Sequence, residues 1–190
     1  YDTLSNQNIN LDGLKIVDEA TGMSVALIGS DGIYCAVVVS GANQTIDLSE
    51  IAVPDDLTVL VLQNEINTDA NFEIIKKVPK STFVILNAAP ALTPNKDFFE
   101  RIDLLIVNQL EAKMLLNEEP SIFNNLDALR KLQNLGPKEV IITLGAEGYT
   151  GISKNGEIFS EPGIKVDVLS THGAGDSFVG TLAAFICKGE

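Results

Sequence analysis

Basic residues are scarce: 13 Lys and Arg against 26 Asp and Glu leave a formal charge of -13 on 190 residues. Nucleic acids and anionic membranes reward basic surfaces, so neither is an expected partner. The Lys and Arg present form no cluster. Any phosphate ligand must then be held by backbone N–H groups and a bridging cation. Tryptophan is absent and His172 is the only histidine, which excludes a His-rich metal site and leaves a hydrolase triad a single base. There is no Gly-x-Ser-x-Gly elbow and no Gly-x-x-x-x-Gly-Lys-Ser/Thr loop. No apolar run approaches the roughly 20 residues of a membrane span. The two cysteines, Cys35 and Cys187, sit in apolar surroundings without metal-ligand spacing, as buried free thiols of a reducing, cytoplasmic setting would. Tyr1-Asp2-Thr3-Leu4-Ser5-Asn6-Gln7 has neither a basic region nor a signal-like core. That start, and an end at Cys187-Lys188-Gly189-Glu190 just after an apolar stretch, both read as cuts through a larger protein.

What is present is ordinary for one substantial core: 45% hydrophobic and 21% charged. Met23 to Ile28 and Ile33 to Ser40, around Gly29-Ser30-Asp31-Gly32, predict a hairpin. Beyond it the grammar changes. Strands are predicted at 57–62, 82–86, 104–107 and 140–144, and helices at 69–77, 95–101, 109–116 and 124–135. A turn with Pro90 and Pro94 follows the second of these strands. A second hairpin is predicted at 149–153 and 157–159. Strands alternating with helices imply an α/β fold with a parallel sheet and helices on both faces. The first hairpin reads as a small separate β element. Residues 1–45 are therefore one expected unit and 46–190 an α/β core. No internal repeat or low-complexity segment interrupts it.

The most informative stretch is Ser170-Thr171-His172-Gly173-Ala174-Gly175-Asp176-Ser177-Phe178. Gly173 and Gly175 permit a tight turn in which successive N–H groups point at an anion, and the helix dipole adds to that field. Asp176 then stands where a hydroxyl beside the anion would meet a base, which is equipment for phosphoryl transfer to an alcohol. A Gly-rich helix entry with Asp as an ordinary cap has the same local pattern. The residues that follow, Val179 to Cys187, read as a buried helix.

Ligands of open α/β sheets bind at the carboxyl ends of the strands. Those ends offer Gln63, Asn64 and Glu65, then Asn87, then Asn108 and Glu111, then Thr143 and Gly145. Each suits a sugar, a metal-bound water or a phosphate, and each also suits capping or turn chemistry. Gly145, Gly148 and Gly151 are wrongly spaced for a dinucleotide fingerprint and precede a hairpin instead of a helix.

From about Thr21 onward the chain resembles the ribokinase-like (PfkB-type) carbohydrate kinases. Gly173-Ala174-Gly175-Asp176 is similar to their C-terminal signature, Asn108-Gln109-Leu110-Glu111 to their Asn-x-x-Glu motif, and Thr143 to Gly148 to their nucleotide-side turn. Gly41-Ala42-Asn43 and Asn87-Ala88-Ala89-Pro90 also match. The resemblance implies a three-layer sandwich with a mostly parallel central sheet and a β-hairpin lid that closes over the sugar and mediates homodimerisation. It implies Asp176 as the base and the Gly173, Ala174 and Gly175 amides as the anion hole. Glu65, Asn43 and Asp176 are implied as sugar contacts. Asn108, Glu111, Thr143, Gly145 and Gly148 are implied as nucleotide contacts, with Glu111 reaching Mg²⁺ through water. ATP and Mg²⁺ are the implied cofactors. Ser170 stands where the family has an Asp that helps hold an activating K⁺, and His172 where it has a small or β-branched residue. The family's N-terminal sugar-binding strand and its C-terminal adenine wall have no counterpart here, so an incomplete sugar pocket is expected. A non-catalytic relative, or a nucleoside or vitamin-precursor kinase, would share this scaffold.

Overall fold

A computed structural model describes residues 2–7, 9–28, 34–92, 96–119 and 123–189. A short helix, α1 (Asp2–Ser5), precedes β1 (Met23–Ile28) and β2 (Tyr34–Val39), which pair antiparallel with Met23 opposite Val39 and Val25 opposite Val37. The predicted turn Gly29-Ser30-Asp31-Gly32, Pro94, Asn95 and the Cys35 side chain lie outside the described residues. A 3-10 turn, Gly41–Gln44, leads from this two-stranded sheet toward the six-stranded one.

The larger sheet runs β3 (Val59–Gln63), β4 (Phe83–Asn87), β5 (Leu104–Asn108), β6 (Glu139–Thr143), β7 (Tyr149–Ile152), β8 (Ile158–Glu161), in that spatial order. β3 to β6 are parallel, and β7 and β8 add an antiparallel edge. Between the strands lie α2 (Thr68–Lys77), α3 (Lys96–Glu100), α4 (Gln109–Leu116) and α5 (Asn125–Gln133), with α6 (Ala174–Lys188) after the hairpin. The predicted strands are found within two residues at each end. Leu57 and Thr58 are apolar enough to read as strand but precede the first ladder pair, Val59 opposite Phe83.

Strand alternation divides the core. Val84, Leu86, Leu105 and Val107 face α2 to α5 with Ile74, Phe99, Leu115 and Leu129. Ile85, Leu104, Ile106 and Ile141 face α6. The result is three layers, with both faces of the strands apolar as buried parallel strands require. One expectation needs correcting: α6 is not a buried helix. Only Val179 is buried, with Phe178, Leu182, Ala183 and Ile186 partly covered at helical spacing, while Cys187 is exposed rather than a buried thiol. Apolar composition all round the helix does not say which stripe meets the sheet, and the opposite stripe meets nothing among the described residues.

At the amino ends of the strands Asp103, 7% exposed, gathers three donors. Its Oδ2 accepts from Val84 N at 2.8 Å and Arg101 Nη1 at 3.2 Å, and its Oδ1 from Lys138 Nζ at 2.5 Å. That ties β4, β5 and β6 together at the end away from the polar strand tips. No helix among the described residues is long and apolar enough to cross a membrane.

Candidate active site

The register of the parallel strands lines up a polar row. Gln63 lies opposite Asn87, Asn87 opposite Ile106, and Asn108 opposite Thr143. Above this row is a cavity of about 150 Å³ whose lining includes Asn87, Asn108, Glu111, Thr143, Gly173, Gly175 and Asp176. Its volume is well below the roughly 300–1,000 Å³ that encloses a whole ligand. It suits a reacting group.

Asn108 is the cap of α4. Its Oδ1 accepts from Glu111 N, and Asn108 N donates to Glu111 Oε2, both at 2.8 Å. Asn-x-x-Glu is here a reciprocal capping box, a reading available from its spacing. The box occupies one Glu111 oxygen and leaves Oε1 without a hydrogen bond among the described residues. Burial raises the Glu111 carboxyl above the ordinary glutamate range, and the hydrogen bonds with Asn108 act the other way.

Gly173 opens α6 in the left-handed region, φ 73°, with no side chain capping the helix. Residues with a Cβ enter that region only at a cost, so the turn depends on glycine. A Cβ built on Gly173 would sit 4.0 Å from Asp176 Oδ2, so the carboxylate stands over the turn. The first intrahelical bond runs from Ser177 N to Gly173 O at 2.9 Å. The amides of Gly175 and Asp176 precede that bond and have no helical carbonyl to reach. Nothing lies within 4 Å of a Cβ placed on Gly175. Ala174 differs: its amide donates to Thr171 O at 3.2 Å and its side chain faces the outer surface of α6 with Phe178 and Phe185, outside the cavity. The Gly173 amide, like those of Gly175 and Asp176, has no hydrogen bond among the described residues. Three open amides therefore line the cavity, with that of Asp176 in place of Ala174's, and the Asp176 side chain is exposed to solvent.

A second cavity, of about 490 Å³, lies between the foot of the hairpin sheet and the tips of β3 and β4. Glu65, Gln44, Ser40 and Thr68 line it, and Pro90 lines it while its neighbour Ala89 lines the first cavity. Asn64, 5% exposed, holds the wall by donating through Nδ2 to Pro90 O at 2.9 Å. Asn43 is not in this lining. It faces Gly22, whose added Cβ would come within 2.9 Å of Asn43 Nδ2, and Gln44 takes the place expected of it. The 3-10 turn decides which of two adjacent side chains faces inward, and nothing in Gly-Ala-Asn-Gln signals that choice.

Gly145 and Gly148 line neither cavity. Gly148 has φ 97°, and a Cβ there would meet Glu161 O at 2.0 Å, so glycine lets this turn pack on the end of β8. Ser170 and His172 are exposed, with Ser170 Oγ accepting from His172 N at 3.1 Å. The pair supplies no charged oxygen to a monovalent cation, which leaves backbone carbonyls as the ligands this loop could offer. No group of three or more His, Cys, Asp or Glu residues is arranged around a metal among the described residues. The donor set fits magnesium carried by phosphates, for which the one carboxylate Glu111 could hold a bound water.

Residues 2–190 match the family described as pfkB family carbohydrate kinase. The chain is 31% identical over 198 residues to a ribokinase of Schizosaccharomyces pombe, covering 98% of this chain and 62% of that protein. It is 31% identical to a ribokinase of Arabidopsis thaliana, covering 96% and 51%. Among solved structures it is similar to Cryptococcus neoformans var. grubii serotype A ribokinase in complex with ADP, with a TM-score of 0.84, 27% identity, and 100% and 66% of the two chains covered. Against Arabidopsis thaliana ribokinase complexed with ribose and ATP the TM-score is 0.74 at 26% identity, over 91% and 58%. The chain thus spans 62% and 51% of the two relatives' lengths. With a match across nearly its whole length, a three-layer core and a Gly-Ala-Gly-Asp helix entry at the strand tips, the chain belongs to the pfkB family of carbohydrate kinases.

Proposed function

We propose that this chain is the catalytic part of an ATP-dependent kinase that transfers the γ-phosphoryl group to a hydroxyl of a pentose or hexose. One observation carries the reading. A carboxylate, Asp176, and the three unengaged amides of the helix entry share a small cavity with Glu111 and Asn108, and a cavity large enough for a sugar adjoins it. Asp176 takes the proton from the acceptor hydroxyl while the Gly173, Gly175 and Asp176 amides stabilise the phosphoryl oxygens. Magnesium, when bound, neutralises charge on the phosphates, and Glu111 anchors its water. Glu65 and Gln44 hold the sugar. Relatives named ribokinase and deoxyribokinase support a pentose as acceptor. A cytoplasmic setting and a homodimer formed through the hairpin sheet belong to the same proposal.

In the intact protein, Asp176→Asn should lower kcat by about 10²–10⁴ with little change in the KM for ATP, measured as ADP release across a panel of sugars. A variant with near-parental turnover overturns the assignment of the base. A parent that releases no ADP with any sugar turns the reading toward a ligand-binding relative.

A further inference from the structure

Three asparagines stand at the strand tips, and two have structural work. Asn64 holds Pro90 O, and Asn108 caps α4. Asn87 does neither. Its backbone is fixed between Gln63 on β3 and Ile106 on β5, and its carbonyl accepts from Ala89 N at 2.8 Å. Its carboxamide is half-buried, lines the same cavity as Asp176 and Gly175, and takes no hydrogen bond among the described residues. An amide held on a rigid strand tip with no protein partner among the described residues, in one cavity with Asp176 and Gly175, stands ready to bond a group bound there. The chemistry of that ligand follows from the neighbours. Two carboxylates, Glu111 and Asp176, already face the cavity, and an amide adds a hydrogen-bond donor there without adding a third negative charge.

Resting on the kinase reading, we propose that Asn87 Nδ2 donates a hydrogen bond to the phosphoryl group in transit. In that transfer the bond from phosphorus to the bridging oxygen of ADP breaks, and ADP keeps the electron pair. The bond from phosphorus to the acceptor oxygen forms, and the acceptor proton passes to Asp176. Asn87 makes and breaks no covalent bond. It supplies a fixed dipole where oxygen charge gathers.

Asn87→Asp is nearly isosteric and exchanges the donor for a charge; Asn87→Ala removes the donor alone. In the intact protein both should melt close to the parent temperature and bind ADP with parental affinity by calorimetry. Loss of a charge-assisted hydrogen bond lowers kcat/KM for ATP by roughly 10- to 100-fold in the Ala variant, and the added repulsion lowers it further in the Asp variant. Affinity for a non-hydrolysable ATP analogue with magnesium should fall in the same order. Two results overturn the proposal: an Asp variant within about twofold of the parent on all these measures, or losses that track melting temperature and ADP affinity alike. If the parent phosphorylates no sugar, the kinase reading fails by itself. The comparison of ATP-analogue with ADP affinity then still decides the contact: weaker analogue binding alone sustains it, and unchanged binding removes it.

Discussion

Glu111 shows how one side chain serves the fold and the site together. Its Oε2 closes the capping box of α4 while Oε1 remains free toward the cavity. Burial raises its carboxyl above the ordinary value, so the folded state holds that proton more tightly than the unfolded chain. Stability therefore falls as pH rises from the ordinary glutamate value to the raised one. Glu111→Gln keeps the cap, since glutamine also serves in a capping box, but does not titrate. Urea midpoints of the variant should match or slightly exceed the parent's at pH 7, and the parental fall across that interval should disappear. Activity should part from stability. A neutral amide anchors a cation-bound water poorly, so kcat/KM for ATP with magnesium should drop roughly 10- to 100-fold. A fully active Glu111→Gln enzyme would leave this residue a cap and nothing more.

At the scale of elements, the two ends of the sheet have separate duties, and a substitution at one need not disturb the other. Asp103 binds the amino ends of β4, β5 and β6 through Val84 N, Arg101 and Lys138, while both cavities open at the carboxyl ends. Asp103→Ala strands the fully buried Val84 amide, while Arg101 keeps Pro79 O and Thr82 O and Lys138 turns to water. It should cost about 1–3 kcal/mol by urea unfolding, with Asp103→Asn costing less. ADP release by the folded fraction should be unchanged; a kinetic defect without a stability loss would contradict this division. The same scale explains what the sequence makes legible. α4 is predicted at 109–116 and found there because Asn108 starts it and Asn117, in the left-handed region at φ 52°, stops it. α5 comes out shorter than 124–135, since Asn124 is the cap rather than the first turn and the helix closes at Gln133. Strand tips carrying Asn87, Asn108 and Thr143 are readable because an apolar run ends abruptly in a polar residue. The Gly-Ala-Gly-Asp entry is readable from its two glycines. Local pattern does not carry the facing of Gln44 over Asn43, the Thr171 carbonyl that occupies the Ala174 amide, or the open stripe of α6. Each depends on what another segment places nearby.

For the whole molecule, charge and the hairpin sheet pull in opposite directions. Met23, Val25, Val37 and Val39 share one face of the β1–β2 sheet and are 45–56% exposed. Two strands alone are marginally stable, so this face has much to gain from a cover. Residues 23–28 and 34–39 contain no charged side chain, whereas the chain as a whole carries -13. Two copies meeting through their hairpins would join uncharged surfaces while their bodies repel. That repulsion reaches about 30 Å at 0.01 M salt and about 8 Å at 0.15 M. The intact protein should therefore weigh twice one chain by light scattering at moderate salt and dissociate as salt is lowered, the reverse of an association driven by ion pairs. Val37→Asp puts a like charge into the joined face of each copy and should give a monomer with the parental circular dichroism. Because the hairpin foot also lines the Glu65 cavity, that monomer should bind sugar more weakly than the dimer while its affinity for ADP stays the same. A parent that is monomeric at every salt concentration would leave the hairpin a lid without a partner.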